Sequence, residues 1–164
     1  MEALARKVGE RLKSARAMVA TAESCTGGWA AQALTAVPGS SEWFERGFVT
    51  YSNDAKREML GVGEDTLARH GAVSEETVRE MALGALANSR ARLSMAITGV
   101  AGPSGGTPAK PVGTVCLAWA VRDGPLRSET RHFAGDRESV RRQSVIHALE
   151  GLLELLTGPP PGHT

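Results

Sequence analysis

The stretch Thr21-Ala22-Glu23-Ser24-Cys25-Thr26-Gly27-Gly28 decides how this chain is read. The apolar run from Ala17 to Ala20 predicts a buried strand over 17–22, and the alanine-rich run from Trp29 to Val37 predicts a helix over 27–36. A serine therefore stands at the carboxyl end of a strand, where the next helix begins. Open α/β sheets bind ligands at that corner. Backbone N–H groups at a helix start suit a phosphate or an oxyanion, and Gly27 and Gly28 let a ligand come close to the backbone. The same residues also suit a plain helix start, with Ser24 or Thr26 as the cap and the glycines as a turn.

Around this corner the pattern alternates helices with short apolar strands. Leu4, Val8, Leu12 and Ala15 recur at helical spacing and predict an amphipathic helix over 2–16. Phe48-Val49-Thr50-Tyr51 predicts a second strand, and Asn53 and Asp54 suit the cap of a short helix through Met59 and Leu60. Residues 64–69 suit another helical turn, and Ser74-Glu75-Glu76 opens a clear helix. Strands are predicted over Leu93–Ile97, Gly113–Val121 and Arg127–Phe133, then a last helix capped by Asp136. The order predicts an α/β fold, a three-layer α/β/α sandwich. The closely spaced strands 113–121 and 127–133 make its sheet mixed, though mostly parallel. The chain reads as one domain over 1–157, with a mobile Gly/Pro tail over 158–164.

Composition narrows the function. Nineteen basic against 18 acidic residues leave a net charge of +1, without the clustered Lys and Arg of a nucleic-acid footprint. Three Trp, three Phe and one Tyr are too few for a base-stacking platform. No apolar run reaches the ~18–20 residues that span a bilayer, and the amino end lacks a signal-peptide core. The expected location is the cytoplasm, with neither nucleic acid nor membrane as a partner. Cys25 and Cys116 form no CxxC pair and have no histidine at zinc spacing, so neither metal nor cofactor is expected. Cys116 lies in an apolar strand as a small hydrophobe, whereas Cys25 adjoins Ser24, where a helix start can activate a thiol.

Two further segments carry chemistry. Thr98-Gly99-Val100-Ala101-Gly102-Pro103-Ser104-Gly105-Gly106 leaves a predicted strand and runs through Lys110-Pro111-Val112-Gly113-Thr114 into the next. Glycine loops of this kind wrap phosphates with consecutive N–H groups. It is neither a Walker A loop nor a GxGxxG turn, because a strand follows it. If its strand runs parallel beside the strand that ends at Ser24, the two loops face one crevice. Thr50-Tyr51-Ser52-Asn53-Asp54-Ala55-Lys56 puts a hydroxyl and an amine where a strand becomes a helix, and such groups can activate a serine without histidine; both are equally compatible with structural roles. His70, His132, His147 and His163 suggest no Ser-His-Asp arrangement.

Five segments in order resemble the CinA carboxyl-terminal-domain family, the nicotinamide-nucleotide amidases of the PncC type. They are Ala22 to Gly28; Tyr51 to Lys56 with Leu60-Gly61-Val62; His70 to Ser74; Thr98 to Gly106 with Lys110 to Thr114; and Gly135-Asp136-Arg137 with Val140-Arg141. The family usually has Glu where Asp54 stands. The resemblance spans about residues 4–156. It is to the stand-alone form, without the large amino-terminal domain of some members. It implies a metal-independent hydrolase of the nicotinamide mononucleotide carboxamide, in pyridine-nucleotide salvage, working as a homo-oligomer on a small nucleotide substrate. Ser24 is then the nucleophile, assisted by Tyr51 and Lys56, whose polar tips should reach Ser24 directly or through one water. Cys25, Thr26, Gly27, Gly28, Thr98, Gly99, Gly102, Gly105, Gly106, Arg137 and Arg141 are the expected substrate-binding residues. Which glycine segment meets the phosphate and which the oxyanion stays open. The alternative is a non-catalytic nucleotide-binding module with a regulatory role in competence or the DNA-damage response, for which Ser24, Tyr51 and Lys56 are not needed together.

Overall fold

The computed structural model describes residues 1–158. Most of the expected Gly/Pro tail, from residue 159 on, lies outside the described residues. In chain order the elements are α1 (Glu2–Ala15), β1 (Val19–Glu23), α2 (Trp29–Thr35), a short 3-10 turn (Ser40–Glu42), β2 (Phe44–Val49), α3 (Asn53–Leu60), α4 (Glu64–His70), α5 (Glu75–Ala87), β3 (Leu93–Gly99), β4 (Thr114–Val121), β5 (Leu126–His132) and α6 (Arg137–Thr157).

The five strands form one sheet in the order β2-β1-β3-β4-β5. β1 pairs parallel with both β2 and β3, whereas β3–β4 and β4–β5 are antiparallel. The expectation of a mostly parallel sheet is thus corrected to an even division. The reason is the connection after β3: residues 100–113 form no helix that could carry the chain back across the sheet, so β4 returns antiparallel. The β1–β3 pairing fulfils the condition set by the sequence, that the Ser24 corner and the glycine loop leave neighbouring parallel strands.

Side chains alternate across the sheet and separate two cores. Val19, Met95, Ile97, Leu117 and Trp119 face α1, α2 and α6. The opposite face is small, with Ala20, Ala22, Ala96, Ala118 and Ala120 against Val78, Met81, Ala82 and Ala85 of α5. Small residues here let α5 lie close to the sheet. Close approach recurs at Gly84, where a Cβ would stand 1.9 Å from the Leu60 carbonyl oxygen, so α3 is pressed against α5. On the other face Trp119 is 1% exposed and its indole Nε1 donates to the Ala148 carbonyl at 2.9 Å, which fixes α6. Burial of such a side chain contributes about 1.5–3 kcal/mol.

β2 begins earlier than the β-forming run suggests, at Phe44 rather than Phe48, and Thr50 and Tyr51 fall outside it. As an edge strand it needs only one buried side, so Glu45 and Arg46 are accommodated. The helix after it is capped by Ser52, whose Oγ accepts from the Ala55 N–H at 3.0 Å, and not by Asn53 or Asp54.

Candidate active site

The carboxyl ends of β1, β2 and β3 lie side by side because the three strands are parallel. Strand order reverses at β1: β2 lies on one side of it and β3 on the other. The crevice above this point is where doubly wound sheets hold ligands. Ser24 enters it directly from β1. Its N–H donates to the Ile97 carbonyl of β3 at 2.9 Å and its carbonyl accepts from the Gly27 N–H at 3.0 Å, so its backbone is held on both sides.

Lys56, one turn into α3, is 2% exposed. Its Nζ donates to Ser24 Oγ at 3.1 Å and to the Thr50 carbonyl at 3.1 Å. No carboxylate pairs with it among the described residues. Burial therefore dominates and pulls the amine below its ordinary 10.5, because the charged form is the one that loses hydration. Chemically, an amine held neutral by burial beside a serine hydroxyl can take that hydroxyl's proton.

Cys25 is 5% exposed, and its thiol is pushed up to about 12. Burial is the larger cause and the charge of Glu23 the next. The thiol is thus kept protonated, and the helix start does not activate it. Among the described residues the histidines offer no substitute base. His70 faces Glu76, and His147 Nε2 lies 2.5 Å from Glu129. Among the described residues no histidine lines the Ser24 cavity. His163 lies outside the described residues.

That cavity holds about 320 Å³ and is lined by Ser24, Cys25, Tyr51, Lys56, Thr98, Gly99, Gly102, Gly105 and Arg137 among the expected site residues. Asn53, Ala72, Val73 and Ser104 complete much of its wall without having been singled out. Ala72 and Val73 belong to the third resembling segment, and the Thr98 hydroxyl donates to the Ala72 carbonyl at 2.9 Å, which joins that segment to the end of β3. Thr26, Gly27, Gly28 and Arg141 instead line a wider neighbouring cleft of about 700 Å³, which shares Arg137 with the first. Gly106 packs its backbone against Val112.

Tyr51 does not reach Ser24 as Lys56 does. It is 57% exposed, and its hydroxyl accepts from Arg137 Nη2 at 2.7 Å. Arg137 Nη1 also donates to the Gly102 carbonyl at 2.8 Å. The guanidinium thus bridges the loop after β2 and the loop after β3. Arg141 donates to the Cys25 carbonyl at 3.1 Å and the Thr26 carbonyl at 3.2 Å, and so holds the serine turn from the α6 side. The N–H groups of Cys25 and Thr26 have no carbonyl partner among the described residues.

Glu23 is a further residue to which the sequence reading gave no role. It is 1% exposed. Its Oε1 accepts from Thr26 Oγ1 at 2.6 Å and the Ala30 N–H at 2.8 Å, and its Oε2 from the Ala31 N–H at 3.1 Å. The free N–H groups expected at the start of α2 therefore already hold an anion, and it comes from the chain itself. The signal was present: a carboxylate at the last position of a strand whose five residues are all buried requires a partner, and the next helix start supplies it. Gly27 and Gly28 take φ of 58° and 103°, so α2 starts at Trp29 and the turn between Ser24 and the helix is tight.

Residues 1–156 match the family described as the CinA C-terminal domain. The chain belongs to this family. The nicotinamide-nucleotide amidohydrolase PncC of Escherichia coli (strain K12) is 56% identical over 149 residues, which cover 91% of this chain and 90% of that protein. The protein of the same name from Pseudomonas putida is 59% identical over 155 residues, covering 94% and 96%. The crystal structure of the competence/damage inducible protein CihA from Agrobacterium tumefaciens superposes with a TM-score of 0.91 at 50% identity, over 94% of each chain. No helix among the described residues is long and apolar enough to cross a membrane.

Proposed function

We propose that this chain hydrolyses the carboxamide of nicotinamide mononucleotide to nicotinate mononucleotide and ammonia, as a step of pyridine-nucleotide salvage. The observation that carries the reading is the 3.1 Å hydrogen bond between the buried Lys56 amine and Ser24 Oγ at the carboxyl ends of the parallel strands. The amidohydrolases among its relatives support the substrate class.

In this mechanism the neutral Lys56 amine takes the Ser24 proton while Oγ attacks the amide carbon. The N–H groups of Cys25 and Thr26 receive the oxyanion. The C–N bond breaks as Lys56 returns the proton to the leaving nitrogen, which departs as ammonia and leaves an ester on Ser24. Water, deprotonated by the same amine, cleaves the ester and restores the hydroxyl. Thr50 holds Lys56 through its carbonyl during both proton transfers. Arg137, common to the cavity and the cleft, meets the substrate phosphate, and its bonds to Tyr51 and Gly102 keep it at the mouth. The homo-oligomer belongs to the same reading: β2 is an open edge with Val49 exposed, and analytical ultracentrifugation measures the assembly.

The test is ammonia release from nicotinamide mononucleotide by the purified chain in the presence of EDTA. Stoichiometric ammonia and nicotinate mononucleotide are expected. Binding of the nucleotide without ammonia release would favour a regulatory binding module. Loss of activity on chelation, restored by one added metal, would overturn the serine–lysine mechanism.

A further inference from the structure

We infer that Glu23 is the positioning residue of the site: its buried carboxylate ties the start of α2 back to the end of β1 and so sets the Ser24–Gly28 turn with Ser24 Oγ on Lys56. The inference rests on the amidase reading for its kinetic consequences and on the hydrogen bonds of Glu23 for its geometric ones.

Glu23 connects both partners of the dyad. Through its side chain it fixes the far end of the serine turn, by Thr26 Oγ1 and the N–H groups of Ala30 and Ala31. Through its backbone it fixes the lysine, because its carbonyl accepts from the Thr50 N–H at 2.8 Å and the Thr50 carbonyl accepts from Lys56 Nζ at 3.1 Å. The residue stands one position from Ser24 and touches neither cavity nor cleft. A carboxylate is well suited to this place. The three groups it receives are all donors, and two oxygens accept them without leaving a donor of its own unpaired. Its charge has a second effect: it adds to burial, the larger cause, in raising the thiol of Cys25.

Glu23→Gln separates charge from shape. The amide oxygen can keep Thr26 and Ala30, but the amide nitrogen then meets the Ala31 N–H donor to donor. The expected result is a folded protein with kcat lowered about 10–100-fold and KM within about threefold, the pattern of a displaced nucleophile rather than lost binding. In its crystal structure Ser24 Oγ should lie beyond hydrogen-bond distance of Lys56 Nζ. A folded Glu23→Gln enzyme with wild-type kcat, or with Ser24 still bonded to Lys56, would overturn the inference. Should this variant fail to fold, Thr26→Val removes one donor and leaves the carboxylate: lowered kcat at constant KM supports the positioning role, and unchanged kcat overturns it. If the wild-type chain releases no ammonia, the amidase reading fails by itself, and the Ser24–Lys56 distance in the Glu23→Gln crystal still decides the role of Glu23.

Discussion

The two glycine-bearing loops at the head of the sheet are built on opposite plans. The turn after β1 spans five residues from Ser24 to Gly28. It is braced from below by Glu23, from β3 by Ile97, from α3 by Lys56 and from α6 by Arg141. The loop after β3 runs over residues 100–113, and Pro103 to Ala109 are all exposed. It is held mainly at its base, where Val100 and Gly113 exchange backbone bonds with Thr114 and Val100, and by Arg137 at Gly102. The short turn is braced from four sides, which suits the placing of a reacting oxygen. The long loop offers backbone along a surface, which suits recognition of an extended ligand. Changes in the first should therefore fall on kcat, and changes at the contacts of the second on KM.

The largest effect is expected from Ser24→Ala, which removes the nucleophile and should lower turnover by about 10³-fold or more while the thermal midpoint stays close to wild type. A variant with near-normal turnover would move the chemistry off Ser24. Lys56→Met should follow, with turnover lowered by about 10²–10⁴-fold, the usual range for a general base. Replacing a buried amine with an apolar chain of similar length should leave the thermal midpoint unchanged or higher, so a loss of activity with gained stability is the signature to look for by calorimetry. Tyr51→Phe breaks only the bond to Arg137 and should lower kcat/KM by about tenfold through KM. A fall in kcat as deep as that of Lys56→Met would instead make Tyr51 a proton acceptor and erase the contrast between the two loops. Cys25→Ala should change turnover least, by less than about tenfold, because its thiol stays protonated. A larger loss would assign the sulfur a role in the reaction.

What the sequence made legible follows from what is local. The alternation of apolar runs located four of the five strands to within about two residues, and Ser74 and Asp136 each cap their helices as their positions suggested, through the N–H groups of Thr77 and Ser139. The serine at a strand end and the lysine at a helix start were visible for the same reason. Their 3.1 Å meeting was expected only through the family resemblance and not from the residues alone, since it joins residues 32 positions apart through the parallel pairing of β1 and β2. The parallel share of the sheet was overestimated because the direction of β4 depends on what a 14-residue loop does, and glycine-rich loops carry little periodicity. Glu23 escaped because the predicted strand stopped at residue 22, one short of it, and because two of its three partners, Ala30 and Ala31, offer only backbone. The edge strand β2 was placed late because Phe44-Glu45-Arg46-Gly47 mixes charge with a glycine, which only a strand with one free side tolerates.

The central claim, that a neutral buried lysine takes the proton of Ser24, is tested most directly by the pH dependence of kcat/KM for ammonia release. Because burial lowers the Lys56 pKa below its ordinary 10.5, its neutral fraction grows as pH rises toward and through that lowered value. The wild-type rate should climb along a single ionisation whose midpoint lies below 10.5, and the residual rate of Lys56→Met should lack that limb. A profile that is flat in the wild type, or that keeps the same rising limb after Lys56 has been replaced, would contradict the account.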